Sequence, residues 1–208
     1  MPSQVPPDHY FRPGYLSEGR MAAYAVQYRE VMASDPDTVL EIGGGPGILA
    51  YMLQKSGVDL TTVDIDPALE PDVVASVDDL PFEKTTFDVV TAFEVLEHVP
   101  FEKSLRGLEE IRRVTKGPAI ISLPDGRRCI RLRVPGVGRR KYLVERPIWR
   151  REEHEFDGEH YWEINKKGYP LDKIKAEIQK RGFKIETTYR PWHMAEHRFF
   201  RLRRDDGK

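Results

Sequence analysis

The stretch Thr38–Pro67, TVLEIGGGPGILAYMLQKSGVDLTTVDIDP, limits the fold more than any other part of the chain. Thr38 to Ile42 is a short β-branched, apolar run without polar alternation, the pattern of a strand buried on both faces. Gly43, Gly44, Gly45 and Gly47 follow at once, so a ligand can approach bare backbone and positive φ costs little. Leu49, Met52 and Leu53 then fall at helical spacing, and Gly57 is placed to end that helix. Leu60 to Ile65 reads as a second strand, with Asp64 at its end.

A glycine loop between strand and helix points backbone N–H groups at whatever sits above it, which suits an anionic group. An acidic residue ending the next strand can accept hydrogen bonds from two ribose hydroxyls. Together they make a nucleoside-binding half-site. A dinucleotide loop, G-x-G-x-x-G/A, needs Gly or Ala at position 48, and this chain has Ile48. What stands here is Glu41-x-Gly43-x-Gly45-x-Gly47, acidic residue first. Taken alone, the loop is also compatible with a structural glycine turn in some other α/β protein.

The acidic-first pattern resembles the first motif of class I S-adenosylmethionine-dependent methyltransferases. Ser76-Val77-Asp78-Asp79-Leu80-Pro81-Phe82 followed by Phe87-Asp88-Val89-Val90 resembles the family's D-x-x-x-L-P-F … F-D-V-V segment. The resemblance covers residues 38 to about 123, with the motifs in order. It implies a single methyltransferase domain, an α/β Rossmann-like three-layer sandwich around a mostly parallel seven-stranded sheet closed by an edge hairpin. It also implies S-adenosyl-L-methionine as cofactor. Gly43, Gly44, Gly45 and Gly47 would receive the aminocarboxypropyl end, with Glu41 orienting the loop or meeting the ammonium. Asp64 would bind the ribose and Ile65 would pack on the adenine. Phe93 and Glu94 would flank the methionyl part. Many relatives bond the adenine amino group with an Asp where this chain has Ser76, so Ser76 and Val77 with the backbone, or Asp78, would take that role.

The rest of the chain elaborates this half-site. Residues 1–34 are expected as an N-terminal lid and helix: a proline-rich lead-in, then Ser17 as N-cap of a helix to about Ala33 with Met21, Tyr24, Tyr28 and Met32, and with them Val31, on one face. The resemblance makes Tyr10 and Tyr15 candidate lid residues. Pro71–Ala75 is expected as a third strand. After Val95–Pro100, a helix turns Leu105, Leu108, Ile111 and Val114 inward, and Ala119–Leu123 follows as a strand. A helix from Pro170 to Gly182 and strands at Phe183–Tyr189 and Arg198–Arg203 complete the order.

Charge is segregated along the chain. Asp64–Glu110 holds 13 acidic and 3 basic residues, while Arg127–Arg151 holds 10 basic residues and only Glu145 acidic. Residues 124–168 therefore read as an inserted basic segment that selects an anionic or polar acceptor, or as a solvated insertion folded back on the acidic half. Cys129 is the only cysteine, which excludes an intramolecular disulfide and a multi-cysteine metal site. There is no run of 18 apolar residues and no signal-peptide pattern, so a cytoplasmic protein without a membrane span is expected.

Methyl transfer is an in-line displacement at an activated carbon, so alignment and desolvation can carry it without a protein nucleophile. No catalytic residue is assigned. His98 lies close to the cleft in sequence, but the L-E-H-V run is widespread in the family. Glu94, Glu97 and His98, at i, i+3 and i+4 of a helix start, could converge on Mg²⁺ or Zn²⁺. Relatives that need no metal share that spacing, and no resident metal is assigned. In the insertion, His154, His160, Tyr161 and Trp162 could wall an acceptor pocket, or the aromatics could seal the sheet edge. The favoured reading is methylation of a small polar or anionic metabolite. The alternatives are an RNA or protein methyltransferase that uses the arginine-rich insertion, and a non-catalytic S-adenosylmethionine-binding partner subunit. Nucleic acid is a less favoured partner, since the arginines of 127–141 lack interleaved aromatics. The sequence does not fix the oligomeric state.

Overall fold

The computed structural model describes residues 10, 12, 14–133, 141–145, 152–156 and 158–207. Most of the proline-rich lead-in, and Asp157 of the expected acceptor segment, lie outside them. The elements are α1 (Glu18–Met32), β1 (Thr38–Ile42), α2 (Ile48–Lys55), β2 (Asp59–Asp64), β3 (Val73–Val74), β4 (Val89–Phe93), α3 (Phe101–Val114) and β5 (Ala119–Pro124). β6 (Cys129–Arg133), β7 (Lys141–Glu145), α4 (Leu171–Lys180), β8 (Phe183–Tyr189) and β9 (His197–Arg204) follow.

The expected seven-stranded, mostly parallel sheet is present, with strand order β3-β2-β1-β4-β5-β9-β8. β1, β2, β3, β4 and β5 pair parallel, and β9 runs antiparallel to both β5 and β8. The chain leaves β1 for β2 on one side and later returns to β4 on the other. A sheet that reverses its winding this way opens a crevice at the carboxyl ends of β1 and β4.

Side-chain alternation splits the interior into two layers. Leu40, Ile42, Val90, Ala92, Ile121 and Phe200 face one side, against α3 and α4. Val39, Val89, Phe93, Ile120 and Phe199 face the other, against α1 and α2. Trp162 seals the first layer: it is 2% exposed, and its Nε1–H donates to Leu96 O (3.2 Å) and Ser104 Oγ (3.0 Å).

Two expectations change. The buried residues of α1 are Ala23, Tyr24, Val26, Gln27 and Val31; of the expected stripe Tyr24 and Val31 are buried, Tyr28 and Met32 pack against the core, and Met21 is exposed. Met21 stands about 200° around the helix from Ala23, so the two cannot share a face, and the small alanine sits on the inner side. The basic insertion contains a hairpin, with β6 and β7 antiparallel from Cys129↔Glu145 to Arg133↔Lys141. Its root is tied to the sheet by Asp125, whose Oδ2 accepts from Arg198 Nε (2.8 Å) and whose Oδ1 accepts from Asn165 Nδ2 (2.8 Å).

Candidate active site

A cavity of about 1020 Å³ opens at the crevice. The turns after β1, β2 and β4 form one wall, and α1, the insertion and the start of β9 form the other.

On the first wall the loop after β1 exposes backbone. Gly43, Gly45 and Gly47 have φ of +74°, +52° and +71°, the left-handed region that glycine occupies without strain. A Cβ at Gly43 would collide with Val95 Cγ2. Glu41 is buried beneath the loop, and its Oε2 has no hydrogen-bond partner among the described residues. Burial, then the charge of Asp64, pushes the Glu41 carboxyl up to about 8. Asp64 closes β2 at the cavity wall, where Oδ1 accepts from Asp66 N (2.9 Å). Burial raises its carboxyl against the pull of backbone N–H groups from Asp66, Ile65 and Gly45.

Glu41, Gly43, Gly44, Gly45, Asp64, Ile65, Ser76, Val77, Phe93 and Glu94 all line the cavity. Gly47 and Asp78 do not. Gly47 is the N-cap of α2, one step below the rim. Asp78 turns away, accepting from Ser76 Oγ (2.5 Å) and Arg106 Nη2 (3.0 Å) and so holding Ser76 from behind. Tyr10 and Tyr15 both reach the cavity, and the Tyr10 ring lies within 3.5 Å of where a Cβ on Gly45 would stand. Burial and the Asp64 charge raise the Tyr10 hydroxyl to about 12.

Where the turn after β4 meets the insertion and β9, the cavity wall is rich in histidine and carboxylate. Glu94 follows β4 with φ +55°, and its Oε1 accepts from Ser122 Oγ at 2.6 Å. Its Oε2 lies 2.8 Å from His197 Nδ1. Burial pulls the Glu94 carboxyl upward, but His197 and Ser122 outweigh it and hold it below the usual range. Burial works against charge on His197, and Glu94 outweighs it, so the imidazole is raised.

Glu94 precedes the 3₁₀ turn Leu96–His98 and its oxygens face Ser122 and His197, so it is not one of the clustered donors, although its carboxyl stays close to that of Glu97. The residue that joins Glu97 and His98 is His160, from the insertion, and the candidate donor atoms of these three lie within 4.8 Å of one another. Tyr161 N donates to Glu97 O (2.8 Å) and fixes the insertion to that turn. Burial and the Glu94 charge hold the Glu97 carboxyl well above its ordinary range. Burial, then His160, lowers His98.

Of the insertion residues expected to wall an acceptor pocket, His160 and Tyr161 line the cavity and Trp162 is buried in the core, whereas sequence reasoning missed Arg20, Gln27 and His197. Arg20 is the only arginine or lysine among the described lining residues. Its guanidinium covers the Tyr15 ring at 4.1 Å and donates to its hydroxyl at 3.1 Å. The distances in sequence from these residues to the glycine loop carry no local signal; only the antiparallel return of β9 and the folding back of the insertion bring them together.

The parallel sheet, its antiparallel edge and the glycine loop at the switch point define the fold of S-adenosylmethionine-dependent methyltransferases. A methyltransferase-domain family model matches residues 15–188, and the chain belongs to that family. A solved structure from Pyrococcus horikoshii OT3 superposes with TM-score 0.63 at 14% identity, covering 96% of this chain and 99% of its own. The Burkholderia thailandensis 1,6-didemethyltoxoflavin-N1-methyltransferase, with 1,6-didemethyltoxoflavin and S-adenosylhomocysteine bound, superposes at 0.61 with 16% identity, covering 95% of this chain and 84% of that one. The ubiquinone biosynthesis O-methyltransferase of Xanthomonas oryzae is 39% identical over 77 residues, 30% of this chain and 32% of the relative. The match thus spans about a third of that curated relative. Among the described residues, no helix is long and apolar enough to cross a membrane.

Proposed function

We propose that the chain transfers the methyl group of S-adenosyl-L-methionine to a small polar acceptor held against the insertion wall. One observation carries this reading: a single cavity joins the glycine loop and Asp64 to a separate wall of histidines and carboxylates. The bound cofactor would supply an activated methyl carbon on a sulfonium. The residues present fit it. Glu41 Oε2 is unpartnered beneath the loop, the loop glycines leave room above it, and Asp64 stands at the strand end where a ribose diol would be received. Ile65 and Val77 offer apolar surface to an adenine, beside Ser76.

In the transfer, the acceptor atom donates an electron pair to the methyl carbon, and the carbon–sulfur pair returns to sulfur. An acceptor hydroxyl or ammonium must also lose a proton. His197 is placed to take it, because its ring lines the cavity with Nδ1 2.8 Å from the Glu94 carboxylate, an ion-pair contact that favours the protonated ring. Tyr10 and Tyr15 would close the cofactor from solvent.

The reading of RNA or protein methylation through the arginine-rich insertion has less support. Arg127 pairs with Glu145 (2.7 Å) and Arg131 with Glu196 (2.7 Å). Arginines already neutralised by their own fold are poor phosphate contacts. The test uses S-adenosylmethionine labelled in its methyl group, incubated with extract of the cells that make the protein and then fractionated. Label in the small-molecule fraction, lost with Asp64→Ala, is expected. Label in RNA or protein would make the insertion a macromolecular recognition surface. Cofactor binding with no label anywhere would point to a non-catalytic partner subunit.

A further inference from the structure

At the acceptor end of the cavity, His98 from the turn after β4 and His160 from the insertion line the wall, and Glu97, wholly buried and outside the lining, meets them with candidate donor atoms within 4.8 Å of one another. Each imidazole is oriented from behind. His98 Nδ1 is 3.0 Å from the Glu159 carbonyl oxygen, and His160 Nδ1 is 3.0 Å from Glu163 Oε1. Oxygen acceptors hold the ring proton on Nδ1 and so place the lone pair on Nε2, the arrangement that supports metal-bound histidines. Glu97 is wholly buried, and neither of its carboxylate oxygens has a hydrogen-bond partner among the described residues. A buried carboxylate without donors is costly unless a cation or a proton neutralises it. Glu94 nearby adds negative charge, and the cavity's arginine, Arg20, is engaged with Tyr15.

We propose that Glu97, His98 and His160 form a binding site for one divalent transition-metal cation. Two imidazole nitrogens with one carboxylate favour Mn²⁺, Co²⁺ or Zn²⁺ over the all-oxygen preferences of Ca²⁺ and Mg²⁺. Three protein donors leave coordination positions open toward the cavity. An acceptor hydroxyl bound there loses its proton more readily, which makes the acceptor an oxygen nucleophile with a metal-binding oxygen. The cation site stands on the geometry alone; its use on an acceptor oxygen rests on the methyl-transfer reading above.

The test is titration of the full chain, stripped with EDTA, with Co²⁺. It is followed by visible ligand-field absorption and calorimetry, with S-adenosylhomocysteine binding measured in parallel. One equivalent of Co²⁺ is expected, with nitrogen ligation in the spectrum. Glu97→Gln and His160→Ala should each weaken it roughly tenfold or more, whereas His193→Ala, exposed beside Trp192, should not. Glu97→Gln keeps the side-chain volume and decides the matter if His160→Ala does not fold. No Co²⁺ uptake by folded protein, or uptake that survives Glu97→Gln, overturns the site. Homocysteine-nucleoside binding without cation uptake overturns the cation site alone; cation uptake without that binding overturns the methyl-transfer reading alone.

Discussion

Glu41 links the cavity to pH. In the free protein its carboxyl stands at about 8, above the ordinary 4.5, because it is buried and faces Asp64. It is therefore protonated at neutral pH when folded and ionised when unfolded. Its contribution to stability is full below about pH 4.5 and is lost as pH rises through about 8. A cofactor ammonium placed beside it would favour the ionised form. S-Adenosylhomocysteine binding at pH 7 should then release close to one proton, read as a dependence of the calorimetric heat on buffer ionisation enthalpy. Glu41→Gln should remove that dependence. Asp64 acts differently: its carboxylate lines the proposed ribose position, and Asp64→Ala should weaken binding by about 1.5–3 kcal/mol, with a smaller proton release because the charge that helps raise Glu41 is gone.

At the scale of elements, the loop after β1 and the turn after β4 are packed against each other. Gly43→Ala would force a Cβ onto Val95 at a positive φ, so both elements would have to shift. A loss of about 1–3 kcal/mol in thermal or denaturant unfolding is expected, together with weaker nucleoside binding. Trp162→Ala should cost about 3–5 kcal/mol, since it empties the layer between α3 and the insertion and removes the donor that Trp162 Nε1 gives to Ser104 Oγ and Leu96 O. The strand, loop and helix of Thr38–Lys55 were legible in sequence because their signals are local: a β-branched run, glycines, then helical spacing. The inner face of α1 was legible only in part, because Met21 carries apolar weight without facing the core while Ala23 and Gln27 are buried there instead. The site divides in the same way. Glu41, Asp64 and the glycines sit on one continuous supersecondary unit. His160 and His197 reach the cavity through long-range folding of the insertion and β9, which no spacing rule encodes.

Over the whole molecule, a buried charged cluster binds the insertion to the sheet. Asp125 is 4% exposed and pairs with Arg198, which is 6% exposed and also reaches Glu145 Oε1 at 2.8 Å. Removing one partner leaves the other charge buried, so Arg198→Ala should cost about 3–5 kcal/mol. Because the hairpin and the His160 segment share this anchor, the variant should also lose part of the acceptor wall. Limited proteolysis should then cut within residues 126–168 before it cuts the sheet.

The central claim is that this cavity receives the S-adenosyl nucleoside, and calorimetric titration of the folded chain with S-adenosylhomocysteine tests it most directly. The account predicts one site per chain, a protein stabilised against heat on binding, and loss of most affinity in Asp64→Ala with the fold intact. No binding by the folded wild-type chain, or binding unchanged in Asp64→Ala, would contradict it.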